Sequence, residues 1–251
     1  MLGTFGLDGS GAAIHNSNGT GSDGLAGFSD NLAAGRFELR NGAAFSATSA
    51  FANAGHVVVG AGSGFATAAG ATYTQTAGST TVAGTLTTSS VELYGGLLSI
   101  TGTVAGSVNN YGGTVDSPGV PGKLTILGDF TQHAGGKLLL QIGGTERGMT
   151  YDWLSVGGTA TLGGELEIVF LNGYIPAPGT SFDLMSYSNV LGSFDTTRIT
   201  GIGGTSESFA FGPNGMSLTI NPVPEPETYA MLLAGLGLLG FVARRKKQRA
   251  A

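Results

Sequence analysis

Apolar and polar residues alternate over short stretches in the body of the chain. In the stretch 165–170, Leu166, Ile168 and Phe170 fall on one side, and the same period of two recurs in the stretch 123–127. This alternation is typical of strands with one buried face. Before residue 229 there is no convincing 3.6-residue period over ten positions, so the pattern predicts an all-β body.

Glycine pairs recur along this body, each after a polar or aromatic residue and before an apolar stretch. The segment 73–79 (YTQTAGS) also echoes the segment 130–136 (FTQHAGG). The resulting period is imperfect, at roughly 20 residues, and indicates stacked coils, none of which buries its apolar face alone. The pairs are Gly95-Gly96, Gly112-Gly113, Gly135-Gly136 and Gly157-Gly158, and Gly78-Ser79 is a related position earlier in the chain.

The repeats predict a glycine-rich solenoid, specifically a right-handed parallel β-helix. Glycine accounts for 46 of 251 residues, more than twice the average of about 7%. Glycines at the corners supply positive φ and let successive turns pack closely. Stacked coils would align their inward leucines, isoleucines and valines in columns that exclude water.

The pattern changes at the C-terminal end, where an apolar run from Tyr229 to Ala243 carries no charge. The prolines at 222, 224 and 226 before it prevent a helix from entering from the body. As a helix, the run would rise about 22 Å, which crosses a hydrocarbon layer of about 30 Å only marginally. Tyr229 would lie at one interface and the basic side chains would snorkel at the other. The sequence therefore predicts a short C-terminal transmembrane helix.

Five basic residues in the last eight positions would keep the C-terminus in the cytoplasm, so that everything before residue 221 faces outward. Two alternatives stay open: a buried C-terminal helix of a soluble domain with a frayed tail, and a basic tail that binds nucleic acid. The predicted anchor side chains are Tyr229, Leu232, Leu233, Leu236, Leu238, Leu239, Phe241 and Val242, and the basic cluster is Arg244, Arg245, Lys246, Lys247 and Arg249.

The motif Val223-Pro224-Glu225-Pro226, followed by a short apolar segment and a terminal Arg/Lys cluster, resembles the PEP-CTERM sorting signal of exopolysaccharide-producing Gram-negative bacteria. The resemblance covers residues 221–251. It implies export, transient anchoring in the inner membrane, and cleavage near this motif by a membrane-embedded protease, exosortase. The same signature is also called the ice-binding protein C-terminal domain.

The segment 114–200 resembles the late passenger region of autotransporters, which implies a β-helical stalk finished by a cap near residues 167–220. The first ten residues show neither a basic nor an apolar signal-peptide region, so we expect the coding frame to begin upstream of Met1. The sequence thus predicts these units: a Gly/Ser/Asn-rich segment 1–30, degenerate coils 31–128, passenger-like coils and cap 129–220, the sorting motif and linker 221–228, the transmembrane helix 229–243, and the basic tail 244–251.

Composition and charge restrict the chemistry of the body. Residues 1–220 carry six basic and fourteen acidic residues, a balance that argues against nucleic-acid binding. The chain has no cysteine, so it contains no thiolate metal site and no disulfide. His15, His56 and His133 lack metal-ligand spacing, and we expect no cofactor and no metal.

Two further patterns suggest chemistry without establishing it. Asp129 and Asp152 could form a hydrolytic carboxylate pair, although hydrogen bonding in turns is the favoured interpretation. Eight threonines crowd the segment 72–88, where a flat threonine face could bind ice, or could simply suit exposed strands. The sequence therefore predicts a non-enzymatic structural or adhesive envelope protein, whose partners are the membrane, an exosortase-type protease and extracellular polysaccharide. The alternatives are an ice-binding solenoid and a polysaccharide-degrading β-helix.

Overall fold

The computed structural model describes residues 3–14, 24–203, 206–222 and 231–239. Its body consists of a nine-stranded sheet and a fifteen-stranded sheet, and nearly all strand pairs are parallel. The chain visits three rows of strands in a fixed order, A, B and C, and then returns to row A one coil further on. This topology confirms the prediction of an all-β solenoid.

Row A is the nine-stranded sheet. Because the period of two places every second side chain inward, each of its strands buries one apolar face. Its strands are β1 (Gly3–Asp8), β3 (Gly35–Arg40), β6 (His56–Val59), β9 (Ser79–Val82), β11 (Leu97–Ile100), β13 (Thr114–Asp116), β16 (Lys137–Ile142), β19 (Glu165–Phe170) and β22 (Thr196–Thr200).

Rows B and C belong to the fifteen-stranded sheet, which two long strands, β10 (Thr85–Leu93) and β12 (Thr103–Asn110), join by running through both rows. Row B further contains β4 (Ala44–Ser46), β7 (Gly64–Ala66), β14 (Lys123–Ile126), β17 (Trp153–Val156) and β20 (Ser181–Ser186). Row C further contains β2 (Asp30–Asn31), β5 (Phe51–Asn53), β8 (Tyr73–Gln75), β15 (Phe130–Gln132), β18 (Thr159–Leu162) and β21 (Asn189–Gly192).

An antiparallel hairpin extends row B at the C-terminal end of the solenoid. It comprises β23 (Ser206–Gly212) and β24 (Gly215–Asn221), and β24 pairs with β20. Met216, Leu218 and Ile220 of β24 are buried against the last coil. The hairpin therefore pairs the strand edge that β20 would otherwise leave open, as expected of a cap.

The strand register aligns the core side chains in columns along row A. One column runs through Phe37, Val57, Thr80, Leu98 and Val115, each opposite the next. The predicted inward sets are confirmed, since Leu166, Ile168 and Phe170 are buried. Each column buries apolar surface that a single coil would leave in water.

Aromatic rings fill the N-terminal half of the core. Phe51 lies 4.9 Å from Phe65 and 5.6 Å from Tyr73, measured between ring centroids. Phe37 and Phe45 contact each other edge to face at 5.1 Å. Such edge-to-face pairs add stabilisation beyond the apolar area that they bury.

A ladder of buried amides lines the inner end of row C. Asn31, Asn53 and Gln75 follow one another in register, and Asn110 and Gln132 continue the ladder beyond Leu93. The Gln132 side-chain Nε2 donates to the carbonyls of residues 163 and 165, both at 2.9 Å. The equivalent atom of Gln75 donates to those of residues 95 and 97, both at 3.1 Å. The sequence similarity between the segments 73–79 and 130–136 therefore includes the glutamine that each contributes to the ladder, Gln75 and Gln132.

Glycine pairs occupy the corner between rows C and A, where the backbones of successive coils approach closely. A Cβ at Gly96 would lie 2.2 Å from the carbonyl oxygen of Gly78, and one at Gly135 would lie 2.5 Å from that of Tyr111. The sequence period also includes Gly157-Gly158, but that pair lies at a different corner. It lies between rows B and C, beside Leu127 and Asp129, whereas Gly163-Gly164 lies at the corner between rows C and A.

The varying length of the coils explains this difference in position. Along row A, Leu98 is the register partner of Val115, whereas Leu138 is the partner of Leu166, so the later coil is much longer. The extra residues form the loop 143–152 between β16 and β17, which displaces the later glycines along the sequence. The three rows continue through residues 128 and 129 without a break. The predicted boundary between the coils 31–128 and the passenger-like coils 129–220 stays a prediction.

Substitution of Gly78 tests the close approach at the corner. Gly78 has a φ of +65°, and an added Cβ would lie 1.9 Å from the carbonyl oxygen of Gly55. We expect Gly78→Ala to lower the free energy of unfolding by about 3 kcal/mol, from strain and overpacking together. Gly62 is the matched control, because its φ is +73° but nothing lies within 4 Å, so Gly62→Ala should cost only about 1 kcal/mol. Equal urea midpoints for the two variants would contradict the close approach.

Substitution of Asn110 tests the amide ladder. Its Oδ1 accepts from the Gly113 amide at 2.9 Å, and its Nδ2 donates to the Lys137 carbonyl at 3.2 Å. Since both backbone groups would be left unpaired, Asn110→Ala should cost about 2–4 kcal/mol in urea unfolding. Asn109→Ala, at the neighbouring outward position, should cost less than about 1 kcal/mol. A loss at Asn110 no larger than at Asn109 would show that the ladder is not a main source of stability.

Candidate functional site

The predicted sorting segment follows directly on the last strand of the body. β24 ends at Asn221, and Pro222 is the last described residue before the helix. The predicted residues that lie outside the described part of the chain are Val223, Pro224, Glu225, Pro226, Tyr229, Phe241, Val242, Arg244, Arg245, Lys246, Lys247 and Arg249.

Residues 231–239 form the described portion of the predicted anchor and are helical. Their leucines, Leu232, Leu233, Leu236, Leu238 and Leu239, are 56 to 71% exposed. No helix in the described residues is both long and apolar enough to cross a membrane. A helix buried in the body, one of the alternatives, disagrees with this exposure.

Asp152 is enclosed in the body and ties three segments together. Its Oδ1 accepts from the Ser117 hydroxyl and the Gly122 amide, both at 2.7 Å. Its Oδ2 accepts from the Gln141 amide at 2.7 Å. Burial raises the pKa of Asp152 to about 6 against the opposing effect of these hydrogen bonds. The side chain therefore anchors the loops before β14 and β17, which agrees with the favoured hydrogen-bonding interpretation.

A second carboxyl group, Asp116, is electrostatically coupled to Asp152, and sequence reasoning missed it. Burial raises its pKa to about 6, although the Ser99 hydroxyl donates to it at 2.6 Å. Such a pair could serve acid–base chemistry only if both groups reached a substrate. Asp152 has no exposed surface, and this enclosure argues for a structural role.

The other candidate residues lie apart from this pair. Asp129 is exposed and accepts from the Thr159 amide at 2.7 Å. His56 is exposed beside Ser79, and His133 is exposed on a different coil, while His15 lies outside the described residues. In the described part of the chain, no three His, Asp or Glu side chains converge as metal ligands would.

The threonine-rich segment does not form one surface. Thr80 is fully buried, where it hydrogen-bonds to Gln75 and Tyr73, and Thr88 is also buried. Thr85 and Thr87 point outward from row B, but the register places Ala66 and Ala105 on either side of Thr87. The flat threonine face considered for ice binding would need threonines at these positions on successive coils, and the two alanines interrupt it.

An aromatic stack runs along the outside of the corner between rows C and A. The rings of Tyr94 and Tyr111 stack at 4.8 Å, and the ring of His133 stacks on Tyr111 at 4.2 Å. The first distance equals the spacing of adjacent strands. In the sequence, each of these rings follows a position of the ladder column, and Tyr94 and Tyr111 directly precede a glycine pair. The sequence analysis noted a polar or aromatic residue before each glycine pair, but it did not predict that these rings stack from coil to coil.

The predicted sorting segment thus follows a solenoid body and includes a short helix whose leucines are exposed. Residues 222–247 match the model of the PEP-CTERM protein-sorting motif. This match confirms the recognition of the motif from sequence and supports export and sorting to the cell surface by exosortase. No curated protein matches the chain.

The raised pKa values of Asp152 and Asp116 predict a pH dependence of stability. Both groups bind a proton more tightly in the folded state than at their ordinary value of 3.8. Their stabilising contribution is therefore fully present below about pH 4 and is lost as the pH rises through about 6. For Asp152, we expect a change of about 1–3 kcal/mol across this window.

Urea midpoints between pH 3.5 and pH 7.5 measure this effect. The Asp152→Asn variant should have a smaller decrease than the wild type between pH 4 and 6. Asp129→Asn is the matched control, since its carboxylate is exposed, and it should follow the wild-type curve. A wild-type slope unchanged by Asp152→Asn would show that this carboxyl group titrates alike in both states.

Proposed function

We propose that this chain is an exported protein that an exosortase-type protease recognises and cleaves at its C-terminal motif. Its solenoid body would then have a structural or adhesive role at the cell envelope or in extracellular polysaccharide. The observation that carries the proposal is the match of residues 222–247 to the sorting motif. The motif begins directly after the last strand of the body, so cleavage there would leave every described strand intact.

In this proposal, the segment 229–243 inserts into the inner membrane of the precursor. Its leucines are exposed in the described helix, and such side chains are stable only when lipid or protein covers them. The basic cluster at 244–249 would remain on the cytoplasmic side. The prolines between the body and this segment would hold the cleavage site in an extended form, accessible to a membrane-embedded protease.

The body suits a passive role in a matrix. Its coils share continuous backbone ladders from β1 to β22, and the right-handed winding that parallel crossovers favour is part of the proposal. We propose no catalytic activity and no cofactor, because the candidate carboxyl group of Asp152 is enclosed and accepts three hydrogen bonds from the body. The acidic surface also favours partners other than nucleic acid.

Cell fractionation tests the sorting proposal. In a host with a cognate exosortase, the mature protein should have a mass that lacks the residues after the Pro224-Glu225-Pro226 motif, and it should leave the inner membrane. Without the protease, the full tail should remain and the protein should stay in the membrane fraction. The Pro224→Ala/Glu225→Ala/Pro226→Ala variant should behave as the wild type does without protease.

A matched control replaces prolines outside the motif. Pro176→Ala/Pro178→Ala alters the loop before β20 and should leave the mass of the mature protein unchanged relative to its own sequence. A mature protein that keeps its tail in both strains would refute the processing proposal.

A further inference from the structure

The six basic side chains of residues 1–220 are distributed unevenly over the body. Four of them flank two largely buried glutamates of row A, as Arg36 and Arg40 do at Glu38, and Lys137 and Arg198 at Glu167. The remaining two, Lys123 and Arg147, converge on Trp153, the single tryptophan of the chain. This arrangement separates cations with a structural role from a pair that lies on an aromatic ring.

The fold brings these three residues together from separate segments. Lys123 and Trp153 are register partners at the start of β14 and β17 in row B. Arg147 comes from the loop 143–152, which is fastened by the contact of Arg147 with Tyr151 and by the Gly148 amide donating to the Tyr151 carbonyl at 2.8 Å. The Lys123 Nζ lies 4.7 Å from the centre of the indole ring, and the Arg147 Cζ lies 4.4 Å from it.

The polar groups of this cluster are incompletely paired. The Trp153 indole Nε1 is enclosed and has no acceptor among the described residues. Within the same part of the chain, Lys123 has no carboxylate within ion-pair distance, and Arg147 has only Asp183, at 3.5 Å. Asp183 is itself largely exposed. An anionic group of a ligand would therefore complete the pairing of the two cations.

A groove of about 360 Å³ adjoins the cluster, between the loop 143–152 and the capping hairpin. Arg147 and Asp183 lie on one side of it, and Asn214 and Ser217 of the hairpin region lie on the other. The groove is open and its lining is mixed in polarity, which suits a hydroxylated ligand better than an apolar one.

We propose that Trp153, Lys123 and Arg147 form a binding site for an acidic sugar unit, such as a uronate, of an extracellular polysaccharide. This inference rests on the proposed role of the body in polysaccharide. The sugar carboxylate would interact with the two cations, which the indole ring holds in place, and the sugar hydroxyls would lie along the adjoining groove. Elsewhere the acidic body repels such a polymer, so these two cations also determine where it binds.

Asp183 acts as an internal competitor in this site. Its carboxylate already occupies the position beside Arg147 that the ligand carboxylate would take. Removing its charge should therefore strengthen binding, whereas removing either cation should weaken binding. A merely structural cation–π cluster would not produce these opposite effects.

The single tryptophan provides a local readout for the test. We would titrate the detergent-solubilised full chain with oligogalacturonate, neutral dextran oligomers and a single-stranded oligonucleotide, following both tryptophan fluorescence and binding heat. Because the fluorescence reports only on the surroundings of Trp153, binding to the basic C-terminal tail would not register in it. Oligogalacturonate alone should change the fluorescence.

The variants separate the site from general electrostatics. Lys123→Gln and Arg147→Gln should each weaken the binding of oligogalacturonate roughly tenfold, while Arg147→Lys should retain most of the affinity. Asp183→Asn should tighten binding several-fold. Arg198→Gln removes the same charge from row A and should leave the affinity unchanged. Trp153→Phe, followed by binding heat, should also weaken binding, and urea midpoints show that each variant folds.

The outcomes distinguish this inference from the broader proposal. If the binding heat shows oligogalacturonate binding but neither Lys123→Gln nor Arg147→Gln weakens it more than Arg198→Gln, the site is wrong and the polysaccharide role stands. An equal fluorescence response to dextran or to the oligonucleotide would overturn the acidic-sugar assignment. Binding of neither polysaccharide by any readout would refute both this site and the polysaccharide role, without affecting the sorting proposal.

Discussion

The parallel pairing of each coil with the next is the interaction on which the rest of the body depends. A single coil of this chain has three short strands, and alone it would leave its backbone groups unpaired and its inner side chains in water. Stacking at the strand spacing satisfies both at once, because register partners such as Leu98 and Val115 then share one apolar column. The close corners follow from the same spacing, since only a glycine fits where Gly96 approaches the carbonyl of Gly78. The buried amides follow as well, because they bond the carbonyls that each corner turns inward.

The general form of the fold could be predicted from the sequence because its causes are local. The alternation in 165–170 predicts a strand wherever the segment lies, and the glycine period predicts stacking. The length of each coil is not local, since a loop such as 143–152 can be inserted without changing the register of the strands beside it. For this reason the spacing of Gly157-Gly158 matched the period while its place in the fold differed.

The candidate sites also differ in whether a local stretch of sequence is enough to predict them. The sorting motif is a contiguous string and could be recognised without a fold. The cluster at Trp153 could not, because Lys123, Arg147 and Trp153 are brought together only by the pairing of β14 with β17 and by the loop that precedes β17. A hydrogen-bonding role was expected for Asp152, but its partners could not be named from the sequence, because they come from the loop before β14 and from β16.

The body and the tail thus carry different kinds of information. The tail contains a sorting signal whose parts act by charge, hydrophobicity and chain stiffness. The body is a repetitive scaffold whose surface chemistry is decided by which outward positions the register aligns. Its proposed ligand site and its outer aromatic stack exist only if that register is correct.

Spin labels on the outward column of row B test the register most directly, because the chain has no cysteine and two engineered cysteines would be the only labelled sites. Ala44 and Ser155 are separated by five coil steps through Gly64, Thr85, Thr103 and Thr125. Five strand spacings place their backbones about 24 Å apart, so the account predicts a narrow distance distribution centred there despite the long sequence separation. A broad distribution, or a centre displaced by two coil spacings or more, would contradict it.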